Sequence, residues 1–365
     1  MSALPNPFTP GFGQVPYRLA GRGQIVDEVT RAFDLTYRDP SLTSIFVGAR
    51  GTGKTALLTY LSAEAQQHGW IVVDAVAREG MLEDIFQRSA EAASEFIDSS
   101  AHKRLRALSV SGVGSVEWET DATPQKNWRG KMTKLLDELA QKDLGLLITV
   151  DEIDPTLTEV AELISTYQLF VREERRVSLL LAGLPGKVLS LMGRPDISFI
   201  RRAKRYGLGP IPSSEVMTAF AETVAVGGRS IGDEALRTAV DAIGGFAFMM
   251  QAVGYRVWDQ GDATEITTED VQSGILVARQ ELVDGVLQST YYELGKSGRE
   301  FVAAMLQDSA ESSIANIIER TGKSSNSVQK TRRKLMDLGV IGERGRGYVD
   351  FELPYFRDYL QERLG

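Results

Sequence analysis

The 365 residues include no cysteine. That excludes disulfides, thiolate metal sites and cysteine nucleophiles, and it fits a reducing compartment. Histidine is nearly absent too: His68 and His102 stand far apart in sequence and suggest neither a metal site nor a catalytic triad. No apolar run approaches the roughly 20 residues that span a bilayer. The opening MSALPNPFTPGFGQVP lacks the basic-then-apolar order of a secretory signal. No membrane partner is expected, and the chain reads as cytoplasmic. A basic excess is missing as well, since the net charge is −8, which excludes a globally basic nucleic-acid coat. The deficit is unevenly spread. From Tyr291 onward twelve Lys/Arg stand against eleven Asp/Glu, so the negative excess lies entirely before that point.

What is present is an ordinary globular composition over a length that suits two or three domains. Residues 1–16, rich in Pro and Gly, predict an extended arm. From 17 to 210, short β-rich runs alternate with helical patterns, which predicts a parallel sheet covered by helices. The strand candidates are SLTSIFVG, WIVVDAVA, LGLLITVD and RVSLLLAG. The last two are almost unbroken apolar runs, as central strands buried on both faces should be. A helix over LTEVAELISTYQLFVREERR crosses between them, and another, QKNWRGKMTKLLDELAQKD, precedes LGLLITVD. The stretch LSVSGVGSVEWETDATP reads as a hairpin insertion. From 211 to 290 the texture turns all-helical, broken at VGGRSIGD, IGGF and QGDATEITTED, the last with Thr267 or Thr268 as an N-cap. A third unit, 291–365, holds two short helices, a longer basic helix, a Gly-rich hairpin and a closing helix.

GARGTGKT, Gly48–Thr55, matches G-x-x-x-x-G-K-[ST] at every position, between a β-branched strand and a helix. The glycines let backbone N–H groups turn inward around phosphate oxygens, and the helix start adds its positive dipole end. The loop set comprises Gly48, Ala49, Arg50, Gly51, Thr52, Gly53, Lys54, Thr55 and Ala56. Lys54 is expected to reach the β- and γ-phosphates and Thr55 to offer its hydroxyl to Mg²⁺. LLITVDEID supplies the partner signal. Asp151, at the carboxyl end of an apolar strand, is expected at the metal, and Glu152 is placed to polarise an attacking water. The cofactors expected are ATP and Mg²⁺.

At these residues the chain resembles the AAA+ ATPases, especially the branch of origin-recognition-like initiators, archaeal-type ATPases and related signalling ATPases. The resemblance runs from Tyr17 over most of the chain. YRLAGRGQIVDEV is similar to the segment that opens this branch, which implies that Gly21 and Arg22 border the adenine. GGFAFMMQAVGYRVWD is similar to its lid helix, and GYVDFELPYFRDYL to the last strand and helix of its winged-helix domain. The fold implied is an α/β parallel-sheet P-loop NTPase with an all-α lid and a C-terminal winged helix. Two departures stand out. Where the family's fourth strand ends in a polar sensor, this chain has Ala182 and Gly183. Where active motors offer a lid arginine to the γ-phosphate, IGGFAFMM offers none. Hydrolysis is therefore expected to be slow or partner-dependent. Arg201 and Arg202, in DISFIRRAKRYGLGPI, are candidates for an arginine finger reaching a neighbouring subunit, against the alternative of a solvated basic segment.

In the basic helix SSNSVQKTRRKLMDLGVI, Val328, Leu335 and Leu338 are expected to face the core. Asn326, Lys330 and Arg333 recur at i, i+4 and i+7 on another face, with Gln329 and Arg332 beside them. Amide and basic side chains so arranged suit base edges and phosphates, with Arg344 and Arg346 on the wing. Winged helices also dock proteins. Two functions are therefore weighed: an ATP-driven switch coupled to double-stranded DNA, and a signalling or defence ATPase whose winged helix holds a protein partner. Nucleotide-dependent homo-oligomers are expected in either case.

Overall fold

The structure, a computed structural model, describes residues 5–11, 13–35, 38–97 and 124–364. His102 and the expected hairpin, Pro124 excepted, lie outside the described residues. Among the described residues, five strands make one parallel sheet: β1 (Thr43–Val47), β2 (Trp70–Val76), β3 (Gly145–Asp151), β4 (Val177–Gly183) and β5 (Lys204–Gly207), in the order β2-β3-β4-β1-β5. The first four are the runs read from sequence. β5 was not read as a strand, because KRYG at a sheet edge carries no apolar run to betray it.

Strand alternation gives the sheet two cores. Ile45, Ile71, Ile148, Val150, Leu179 and Leu181 face α3 (Met81–Ala93), α4 (Pro124–Ala140) and α5 (Thr158–Arg172). Phe46, Trp70, Leu147, Leu180 and Ala182 face α1 (Gly23–Asp34) and α2 (Lys54–Gln67) on the other side. β4 is buried at every residue, so the hydrogen-bonded ladder at the centre is shielded from water on both faces. After β4 come α6 (Pro185–Gly193) and a 3₁₀ turn, Ser198–Arg202.

The lid consists of α7 (Ser213–Val226), α8 (Asp233–Ile243), α9 (Ala247–Trp258) and α10 (Thr268–Leu282). Thr267 caps α10 in a capping box with Asp270. A two-stranded parallel ribbon, β6 (Ser230–Ile231) with β7 (Glu265–Ile266), interrupts the helices, two residues each being too short to register in the sequence pattern. The N-terminal residues pack on this unit. Phe8 is buried against Phe220, ring centroids 5.0 Å apart, while Asn6 Nδ2 donates to the Tyr255 carbonyl (3.0 Å) and Thr9 N–H to Gln251 Oε1 (3.0 Å). Gly254 makes room inside α9, since a Cβ there would collide with the Phe8 ring.

A π-helical turn, Val283–Leu287, leads into α11 (Gln288–Glu293), and Gly295, at φ 64°, turns the chain into α12 (Gly295–Met305). α13 (Ile314–Thr321) and α14 (Ser325–Asp337) follow. An antiparallel sheet of β8 (Ser312–Ser313), β10 (Tyr348–Phe351) and β9 (Ile341–Glu343), in that order, and then α15 (Phe356–Leu364), complete a winged helix. Val328 and Leu335 are buried as read, and Leu338 is partly so. Lid and winged helix share one continuous apolar cluster from Phe8 to Leu360.

Candidate nucleotide-binding site

The turn after β1 is built for close approach to its own backbone. Gly51 and Gly53 adopt φ of 79° and 86°, conformations an L-residue resists. A Cβ on Gly48 would lie 2.5 Å from Thr52 Oγ1 and 2.9 Å from the Leu208 carbonyl. Thr52 Oγ1 donates to the Ala49 carbonyl at 2.9 Å and braces the loop from within. The chain then enters α2 at Lys54, so Lys54, Thr55 and Ala56 form its first turn, with the N–H groups that a helix leaves unpaired.

Lys54 Nζ donates to the carbonyls of Gly48 (2.9 Å) and Ala49 (2.8 Å). Burial lowers its pKa to about 8, with Asp151 and Glu152 pulling it up and Arg50 pushing it further down. Such a cation gains by meeting an anion. Across the sheet, Thr55 Oγ1 donates to Asp151 Oδ2 at 2.5 Å, joining residues 96 positions apart. Asp151 Oδ1 accepts from the Glu152 N–H at 2.8 Å. Glu152 is exposed and holds φ of 52°, a left-handed conformation that costs a glutamate energy and is retained where the surroundings impose it. Among the described residues there is no ready-made cluster of three or more His, Cys, Asp or Glu for a metal. A hydroxyl and a carboxylate beside a phosphate loop are instead the donor set of a cation that also takes phosphate oxygens and water. The loop, the helix start, Lys54 and the Thr55–Asp151 pair fit a magnesium nucleotide.

The other residues read as nucleotide contacts have structural partners. Gly21, at φ 68°, donates its N–H to Glu215 Oε2 (2.8 Å), and a Cβ there would lie 2.9 Å from Ile211 Cγ2. Arg22 is 8% exposed and donates to the carbonyls of Gly209 (2.8 Å), Gly21 (3.2 Å) and Thr52 (3.4 Å), with burial lowering its pKa. It ties the segment before α1 to the loop and to the connection into the lid. Arg201 and Arg202 are exposed, and Arg201 Nε donates to the Met192 carbonyl at 2.8 Å. They precede β5, whose Lys204 pairs with Ser44. The pair therefore lies at the amino end of the sheet, roughly 10 Å or more from this chain's own loop at 3.3 Å per strand residue.

Sequence reading missed several contacts with the loop. Phe248 N–H donates to the Gly51 carbonyl at 3.0 Å, and Ala247 crowds Gly53, so α9 closes over the loop with apolar residues. Arg50 turns outward to Glu293 Oε2 (3.3 Å) and Thr290 Oγ1 (3.5 Å). Lys187, the first cation after β4, lies 3.4 Å from Asp154, whose carboxyl is held below its usual range mainly by hydrogen bonds from Thr156. Partners as remote in sequence as those of Arg50, Gly51 and Gly53 leave no trace in local patterning. The end of β4 is apolar as read: a Cβ on Gly183 would fall 2.5 Å from Ile153 Cγ1, so no side chain fits there.

On α14, Asn326, Lys330 and Arg333 are exposed along one stripe and, with Gln329, Lys334 and Asp337, line a shallow groove. Arg332 turns away to Glu343, and Arg344 to Glu352 (2.6 Å), while Arg346 is exposed at the wing tip.

Residues 18–182 match the family model described as AAA ATPase domain. That segment belongs to the AAA ATPases. The ATPase domain thus takes in α1 to β4 with the phosphate loop and Asp151. Residues 284–360 match a domain of unknown function, DUF8462. The curated proteins contain no match. Among solved structures, the ORC2 protein of Aeropyrum pernix in its ADP form is 15% identical over 97% of this chain and 95% of its own, with a TM-score of 0.50. It shares the fold. The ORC1 protein of Aeropyrum pernix in complex with DNA is 15% identical over 95% and 94%, TM-score 0.49. Cdc6p from Pyrobaculum aerophilum is 15% identical over 98% of both chains, TM-score 0.47. Among the described residues, no helix is long and apolar enough to cross a membrane.

Proposed function

We propose that this protein binds and hydrolyses ATP with Mg²⁺ and uses its nucleotide state to control association with double-stranded DNA through the winged helix. The observation that carries the first half is the Thr55–Asp151 hydrogen bond beside Lys54, which puts the two expected metal ligands together. Bound Mg²⁺ would neutralise charge on the phosphates. In this reading Lys54 holds the phosphates, Thr55 and Asp151 orient the ion, and Glu152 takes the proton of the attacking water. The apolar end of β4 and the apolar start of α9 withhold two groups that would stabilise developing charge, so turnover is slow. Arg201 or Arg202, being exposed and remote from its own loop, suits a neighbour's phosphate in an oligomer.

The second half rests on the exposed Asn326–Lys330–Arg333 stripe. A second reading, a protein-docking winged helix in a signalling or defence ATPase, is favoured by a different observation. Arg332 and Arg344 are already paired with Glu343 and Glu352, which leaves the face less basic than its sequence. ATP turnover with and without double-stranded DNA, beside Lys54→Ala, separates the two. Stimulation by DNA that the variant abolishes supports the DNA switch. Turnover indifferent to DNA favours the protein partner.

A further inference from the structure

The N-terminal arm meets the lid as a bound peptide meets its receptor. Asn6 Oδ1 accepts the Phe8 N–H at 3.0 Å, so residues 6–8 close an Asx turn, and Pro7 fixes one of its backbone angles. The turn presents Phe8, whose ring is only 2% exposed. Asn6 Nδ2 donates to the Tyr255 carbonyl (3.0 Å) and to Asp259 Oδ1 (3.2 Å). The Thr9 N–H donates to Gln251 Oε1 (3.0 Å), on a side chain that is itself buried.

The lid is shaped to that turn. A Cβ on Gly254 would lie 2.2 Å from Phe8 Cδ1, and one on Gly227 would lie 2.9 Å from Pro7 Cγ and 2.3 Å from Trp258 Cη2. Gly227 has φ of −69° and Gly254 lies inside α9, so neither backbone demands a glycine. What the slot uses is the missing side chain. Phe220 forms one wall, and Trp258, with the Arg229 guanidinium 5.0 Å from its ring centroid, forms another.

The tether, by contrast, is slack. Beyond the slot, Arg18 pairs with Glu222, two residues from Phe220 on α7 and about 3 Å further along the helix axis. From Phe8 to Arg18 the chain reaches about 33 Å when extended. Gly11, Gly13, Gln14 and Tyr17, on the way, are exposed.

We propose that the lid slot is a receptor for an Asn-Pro-Phe turn, and that the arm of a second copy of this chain enters it in exchange for the chain's own. The contacts are the same either way, so an exchanged arm links two copies without any new interface. What opposes exchange is the tether, which holds the arm near its own slot at an effective concentration of about a millimolar. Exchange therefore takes place where another contact already holds two copies side by side, or where a chain's own slot is blocked.

Two variants separate the halves of the contact. Gly254→Leu fills the place of the ring and leaves the arm intact, while Phe8→Ala empties the slot and removes the arm's anchor. A labelled peptide of residues 5–11, PNPFTPG, is titrated by fluorescence anisotropy. It is expected to bind Phe8→Ala saturably, and Gly254→Leu about thirtyfold more weakly or less. Replacing the peptide's Asn by Ala, which removes three hydrogen bonds, weakens binding about tenfold or more. Sedimentation velocity without nucleotide, with both variants at about ten times the peptide's Kd, then reads exchange directly. The mixture is expected to contain a one-to-one pair that neither variant forms alone. Should Phe8→Ala fail to fold by circular dichroism, Asn6→Ala, which loosens the turn and keeps the ring, replaces it in both measurements. A folded variant that takes up no peptide overturns the receptor and the exchange together. Peptide binding with no pair in the mixture overturns the exchange.

Discussion

The polar residues of the phosphate loop converge, and those of α14 diverge. Lys54, Thr55 and Asp151 come from the start of one helix and the end of a strand two places along the sheet, and they point into one small volume. Asn326, Lys330 and Arg333 come from a single helix and point out to solvent. Convergence of that kind takes the desolvation of a lysine, which burial has brought to a pKa of about 8, and suits a small charged ligand. A divergent stripe leaves every side chain hydrated and commits to nothing until a large surface arrives. The first arrangement therefore narrows the ligand to a phosphate compound, while the second leaves nucleic acid and protein both in play.

The sharpest way to break the comparison is to remove chemistry from the convergent site and leave its shape. Glu152→Gln is expected to lower ATP turnover by about 10²- to 10⁴-fold with little change in nucleotide affinity. Equal turnover by variant and parent would remove Glu152 from the reaction. Next in size, Lys330→Glu with Arg333→Glu should weaken binding to double-stranded DNA about tenfold or more, and flatten its salt dependence by about two in log–log slope. A binding isotherm unmoved by the double change would take DNA off this face. The smallest effect concerns Lys54. Its folded pKa lies below the ordinary lysine value, so between about pH 8 and 10.5 the native chain holds fewer protons than the unfolded one, and stability rises with pH across that window. Nucleotide affinity runs the opposite way: flat below about pH 8, then falling up to about tenfold per unit as the free lysine loses its proton. Calorimetry in buffers of different ionisation heat should show proton uptake on binding at pH 9. No uptake would mean that Lys54 is not what meets the phosphate.

Legibility followed the length scale of the interaction. The phosphate loop was readable because G-x-x-x-x-G-K-T is a local demand of backbone geometry, and Asp151 because an apolar strand ends on it. Val328, Leu335 and the Thr267 cap were readable from helical spacing. β5 escaped because an edge strand of four residues needs no apolar run. Arg22 was read as bordering the adenine, and the structure ties its guanidinium to backbone carbonyls at the junction of loop and lid, which a sequence cannot display.

By itself the sequence determined the sheet's central strands, the loop that can cradle phosphate and the stripe on α14, because each depends on residues within a few turns of one another. Only the tertiary structure decided that Arg50 faces Glu293, that Gly339 lies beside Ala49 and that Phe8 plugs the lid. Those contacts join parts of the chain more than 200 residues apart. Their partners are selected by how helices pack around a shared core, and no periodicity records that choice.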